Sequence, residues 1–164
     1  MRVAQIRVVP EKGDLQSNHD KLMSVLGDVA GRGADVVVTS ECFLDGYVST
    51  EDSVTSDNIK DYGIEPLDSS YLDSVSAWAR RNASWVWVVF GCGRLSPEGV
   101  YNTAILLDWK GNVEGVYDKT HCQTHDKKYV PGKNLSVFDS DFGRFGVVIC
   151  ADRRWPETVR SLAL

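Results

Sequence analysis

The 164 residues contain no run of lysine and arginine, no apolar stretch of membrane-spanning length, and no repeat, linker or low-complexity tract. Without a basic cluster, and with a formal net charge of -5, the chain would repel phosphate backbones and anionic bilayers, which argues against nucleic acid and membrane surfaces as partners. The longest apolar runs are broken by Gly, Ser or charge, so no transmembrane helix is expected. Cysteine is sparse, at four residues (Cys42, Cys92, Cys122 and Cys150), which could pair in principle, but the chain is too large for a disulfide-stapled miniprotein. Met1 to Pro10 alternates polar and apolar residues without a small-residue cleavage site, so it reads as a strand rather than a signal peptide. Reduced thiols in a cytoplasmic protein are the expectation. What is present is ordinary globular composition, 43% hydrophobic and 25% charged, which points to one compact domain.

Leu22, Met23, Val25, Leu26, Val29 and Ala30 recur at helical spacing before Gly31 and Gly33, predicting a helix over 17–31. Ala34 to Ser40 is a β-branched run of the kind buried on both faces, so the opening reads β-α-β with parallel strands. Positions 41 to about 66 are polar and punctuated by Gly46, Gly63 and Pro66, long enough for a loop to suggest function. A second helix follows, carrying Leu72, Val75 and Ala79. Trp85–Gly91 and Asn102–Asp108 read as strands joined through Ser96-Pro97-Glu98-Gly99, with a further strand over Val113–Lys119 and a last buried one over Phe145–Cys150. A helix begins near Trp155, with Pro156 at an early position where its missing N–H costs nothing. The chain closes on Ser161-Leu162-Ala163-Leu164, inside that apolar pattern and without a cap, so residues 1–164 are expected to be the front part of a longer single domain.

Three residue types with chemistry end three apolar strands. Cys150 follows a hydrophobic run and precedes a helix start, where reacting groups collect in open α/β sheets and where a helix N-terminus favours the thiolate. Glu41 follows Val36 to Ser40, and Lys119 ends the strand beginning at Val113. Alone, each has a plain structural explanation: a buried cysteine, a solvated acid, a surface lysine. Their joint occurrence suggests one rim.

The segments Ser40-Glu41-Cys42-Phe43-Leu44-Asp45-Gly46-Tyr47, Tyr117-Asp118-Lys119-Thr120-His121, Tyr129-Val130-Pro131-Gly132 and Cys150-Ala151-Asp152-Arg153-Arg154-Trp155-Pro156-Glu157 resemble, in order and separation, those of the nitrilase superfamily of carbon–nitrogen hydrolases. The resemblance covers essentially all 164 residues. It implies an α/β fold, an α-β-β-α sandwich incomplete at its C-terminal side, with Glu41, Lys119 and Cys150 as a catalytic triad. It also implies hydrolysis of a small amide or N-carbamoyl substrate through a Cys thioester, with Glu41 as base and with Lys119 and the Ala151 N–H as oxyanion donors. No metal or cofactor is implied, and a homo-oligomer is.

Many family members carry a second glutamate before the aromatic-x-Pro-Gly turn; here Asp126, one methylene shorter, stands nearest. The Cys-x-Asp-Arg-Arg-Trp-Pro-Glu form is similar to that of carbamoyl-amino-acid hydrolases, so Arg153 or Arg154 would engage a substrate carboxylate through the planar guanidinium fork. These arginines would otherwise pair with Asp152 or Glu157. Tyr47 would line the pocket or simply pack. Three alternatives stay open: a Cys-His hydrolase using His121 or His125, a metal cluster at His121, Cys122 and His125 that lacks a fourth ligand, and an incomplete fragment that serves only as a binding module.

Overall fold

The computed structural model describes residues 1–65, 69–82 and 85–164. Strands β1 (Val3–Gln5), β2 (Val36–Val38), β3 (Trp87–Ser96), β4 (Gly99–Leu107) and β5 (Val113–Asp118) form one sheet in sequence order. The first three are parallel and the last two antiparallel to their neighbours. The β1-to-β2 crossover is helix α1 (Leu15–Ala30), whose N-terminus is capped by the Asp14 carboxylate accepting from Ser17 N–H. Helix α2 (Ser70–Arg81) precedes β3, and the β3–β4 hairpin turns at Pro97 and Glu98.

Helix periodicity and strand alternation meet at the core. Leu22 and Leu26 from α1, and Leu72, Val75 and Trp78 from α2, pack on the sheet face that carries Val88, Phe90 and Ile105. The opposite face presents Val36, Trp87, Val89, Leu106 and Tyr117 to a second, two-stranded sheet. Its strands are β6 (Val137–Ser140) and β7 (Gly143–Gly146), which bring Phe138 and Phe145 to that face. Helix α3 (Pro156–Ala163) sets Leu162 against Gly146 of β7. Because both faces of β3 are buried, its sequence reads as a continuous apolar run instead of alternating. Each large side chain so buried contributes about 1.5–3 kcal/mol. The layers are those of an α-β-β-α sandwich, with its second sheet represented here by two strands.

Three expectations change. The last buried strand over Phe145–Cys150 is not formed: β7 ends at Gly146, Val148 is exposed, and only Ile149 is buried. Val147–Ile149 has the composition of a strand, but among the described residues no strand lies beside it to complete a ladder. Strand β6 is additional to the elements expected from the sequence. The segment after Glu41 is less polar inside than its composition suggests, since Cys42, Val48, Val54 and Ile59 form their own cluster with Val100 and Tyr129. The expected end of that segment, Pro66, lies outside the described residues.

Among the described residues no helix is long and apolar enough to cross a membrane. An apolar groove of about 310 Å³ remains open beside the second sheet, lined by Met1, Val3, Val38, Phe142, Phe145 and Val148 among others.

Candidate active site

The turn after β2 crosses directly over β3. Leu44 N–H donates to the Gly91 carbonyl at 3.1 Å, and a Cβ on Gly91 would overlap the Ser40 carbonyl oxygen. Glycine at 91 therefore lets the backbone bearing Glu41 lie flat on the sheet. The buried Asp45 carboxylate holds the far side of the turn, accepting from Gly93 N–H at 2.9 Å and Val48 N–H at 3.1 Å. Burial pushes its acid up to about 6.

Lys119 leaves the end of β5 and turns inward. Its N–H donates to the Asn102 carbonyl at 2.9 Å, and its own carbonyl accepts from Gly132 N–H at 2.8 Å. A side chain at 132 would overlap the Asp118 carbonyl, which is why the Tyr-Val-Pro-Gly segment ends in glycine. The Lys119 side chain is completely buried, with Nζ 2.6 Å from Glu41 Oε1 and 2.5 Å from Asp126 Oδ2. Burial works to lower the ammonium's pKa, but the hydrogen bonds and charges of Asp126 and Glu41 outweigh it and hold the group above its usual value. An ammonium has three N–H groups, so two carboxylates leave one free. Asp126 is anchored in turn by the Tyr47 hydroxyl, which donates to Oδ1 at 2.6 Å. The shorter acid reaches the lysine because the 3-10 turn Thr124–Lys128 carries it inward.

Cys150 and Glu41 line one cleft of about 130 Å³, together with Ser40, Thr103, Ala104 and Ile149. Cys150 opens a 3-10 turn, Cys150–Arg154, with a left-handed backbone (φ 44°). It therefore sits on a strained bend and not at a strand end. The residue is exposed as a whole, yet partial loss of water around the sulfur, followed by the charge and hydrogen bonding of Glu41, raises the thiol above its usual range. Lys119 and Arg153 act in the opposite sense. With Glu41 as neighbour, the surroundings of the sulfur favour the thiol over the thiolate.

Asp152 ties the bend to the lysine loop. It accepts from Tyr117 Oη (2.7 Å), Thr120 Oγ1 (3.0 Å), His121 N–H (2.9 Å) and Ile149 N–H (2.9 Å), and lies 2.9 Å from His121 Nδ1. Burial alone would raise this acid; the donors from Tyr117, Ile149 and His121 outweigh burial and hold it below the ordinary carboxylate range.

The structure thus brings Glu41, Lys119, Cys150, Asp126 and Tyr47 into one cluster. Ala151 is buried behind the bend, its N–H in the first turn, where such groups lack intrahelical acceptors. Arg153 and Arg154 are exposed, and neither pairs with Asp152 or Glu157. Arg154 donates to Gln123 at 3.1 Å. His121 is turned to Asp152 and stacked on Trp155 at 4.4 Å, and His125 is exposed, so neither is placed as the base for Cys150. Sequence reasoning overlooked Asn102, whose Nδ2 donates to Glu41 Oε1 at 2.7 Å. The signal was an amide at the head of an apolar strand.

Four of the five non-glycine residues with left-handed backbone among the described residues, Cys42, Tyr47, Thr124 and Cys150, lie in the segments that build this cluster.

An α-β-β-α sandwich thus carries a thiol, a carboxylate and a buried ammonium at one rim of its larger sheet. The carbon-nitrogen hydrolase family model matches residues 2–164, and the chain belongs to that family. It is 28% identical to a nitrilase of Pyrococcus abyssi over 167 residues, covering 100% of this chain and 61% of the relative. Among solved structures it is similar to Saccharomyces cerevisiae Nit3, a member of branch 10 of the nitrilase superfamily (TM-score 0.82, 25% identity, 98% of this chain and 59% of that one). It is also similar to an amidase from Nesterenkonia sp. (TM-score 0.75, 25% identity, 98% and 59%). The chain spans about three-fifths of the length of these proteins.

Proposed function

We propose that these residues form the reacting half of a hydrolase that cleaves a non-peptide carbon–nitrogen bond, in an amide or N-carbamoyl group, through a thioester on Cys150. The observation that carries the reading is the Lys119 ammonium, held by Glu41 and Asp126 with one N–H to spare, beside a cleft that Glu41 shares with Cys150. Glu41 takes the thiol proton as sulfur bonds to the carbonyl carbon, and the electron pair moves to oxygen. The spare Lys119 N–H and the Ala151 N–H stabilise that oxyanion, an electrostatic contribution made without reorganisation. When the carbon–nitrogen bond breaks, Glu41 returns its proton to the departing amine. Glu41 then deprotonates water, which attacks the thioester and restores the thiol. Asp126 and Tyr47 hold the lysine in place and take no proton.

Arg153 supports a carboxylate-bearing substrate, because it is exposed, lies near Cys150 and makes no ion pair among the described residues. The test is intact-mass trapping of an acyl adduct across a panel of simple amides, N-carbamoyl amino acids and nitriles. An adduct with the first two, absent in Cys150→Ser, supports the reading; no adduct, or one that survives in Cys150→Ser, overturns it.

A further inference from the structure

The Asn102 side chain is buried to 1% exposure in the middle of the sheet, where an apolar residue would be expected. Its orientation is fixed by charge. Nδ2 lies 2.7 Å from Glu41 Oε1, and the reversed amide would set two oxygens against each other. Its own Oδ1 is buried with no hydrogen-bond partner among the described residues. Leaving such an acceptor unmet costs about 1–3 kcal/mol, a penalty that an aliphatic side chain would avoid. What the amide supplies in return is its N–H on Glu41.

What it does follows from counting lone pairs. Each carboxylate oxygen offers two acceptor sites. On Oε1 both are taken, one by Lys119 Nζ at 2.6 Å and one by Asn102 Nδ2. No nitrogen or hydroxyl donor among the described residues is seated on Oε2. Asn102 also holds the other partner, since its carbonyl accepts the Lys119 backbone N–H at 2.9 Å. One residue of β4 thus fixes the carboxylate by its side chain and the lysine by its main chain.

We propose that Asn102 is a positioning residue that, with Lys119, saturates Oε1 of Glu41 and so confines the proton taken from Cys150 to Oε2. The proton is then held on a single oxygen, from which it is delivered to the departing amine. This rests on the base role proposed for Glu41. Removing the Asn102 donor opens a second protonation site and destabilises the carboxylate relative to the acid.

The test uses the full chain with 13C-labelled glutamate carboxyls and Cys150→Ser, so that the thiol does not titrate with the acid. In Asn102→Leu the Glu41 signal is expected to titrate about one pH unit higher than in its parent. In Asn102→Asp, which is nearly isosteric and adds an anion, it should titrate higher still. With Cys150 restored, the acid limb of the acylation profile should rise in each variant by as much as its Glu41 signal does, while substrate affinity measured on Cys150→Ser stays within about twofold. Unmoved Glu41 titration in a folded variant overturns the proposal, whatever happens to melting temperature. Titration that moves in a chain that never acylates upholds the placement of the proton and instead sinks the hydrolase reading.

Discussion

Replacing Lys119 by Met should reveal how far the fold depends on its buried cation. The lysine side chain has 0% exposure, against 16% for Glu41 and 4% for Asp126, so its removal leaves two shielded carboxylates facing each other without a counter-ion. Breaking a buried pair by deleting one partner costs about 3–5 kcal/mol. The sign of the pH dependence follows. Burial and mutual repulsion then raise both acids above their unfolded values, so the native variant binds more protons than the unfolded chain and loses stability as pH rises. In urea unfolding followed by tryptophan fluorescence, Lys119→Met should be weaker than the parent by about 3–5 kcal/mol at pH 8 and by roughly half of that or less at pH 5. Adding Asp126→Asn should recover more than about 1 kcal/mol at pH 8, because one of the stranded charges is gone. Equal deficits at both pH values, or a deficit below about 1 kcal/mol at pH 8, would refute the reasoning and leave the ammonium with the strength of a surface pair.

Asp45 is raised in the fold from 3.8 to about 6, so the native state holds its proton longer and the contribution of this group falls as pH rises from about 4 to 6, by about 3 kcal/mol in all. Asp45→Asn should flatten that slope in denaturation measured across the window. Asp152 behaves oppositely: held below its usual range, it stabilises the fold above about pH 4 and loses this as pH falls. Asp152→Asn should cost about 2–3 kcal/mol at pH 7, with the gap to the parent closing in acid. Gly132→Ala forces a methyl onto the Asp118 carbonyl and should cost about 1–3 kcal/mol, whereas Gly27→Ala, in open space on α1, should be neutral or stabilising in the same melts. The open apolar groove, bordered by Val3 at 55% and Val148 at 37% exposure, should make the chain self-associate. Sedimentation at rising concentration should show this, and Val3→Glu should shift the chain towards monomer; a parent that stays monomeric throughout contradicts it.

The parts of the fold that were legible in the sequence owe their shape to burial that the local pattern already records. Val36–Val38 and Trp87–Phe90 are apolar on successive positions because both sides are covered, and α1 shows its period because only one side is. Residues Val147–Ile149 mislead for the converse reason. Their β-branched composition expresses a preference, but a strand also needs a neighbour. Strand β6 escaped notice because its residues alternate over only four positions, with Val137 and Asp139 exposed. Within the cluster, Glu41, Lys119 and Cys150 were readable as motif residues. Asn102 and the role of Asp152 were not, since both are defined by partners 61 and 31–35 residues away. Asp152 faces inward to Tyr117 and His121 and not to the neighbouring arginines that its place in the sequence suggests.

The left-handed backbones at Cys42, Tyr47, Thr124 and Cys150 set heat tolerance against the placement of the side chains they carry. Each such residue costs about 1–3 kcal/mol relative to glycine in the same posture. A directed-evolution campaign rewarding survival at high temperature alone would therefore accumulate glycine or asparagine at these four places, and would erase the thiol at 150 and the phenol at 47 in doing so.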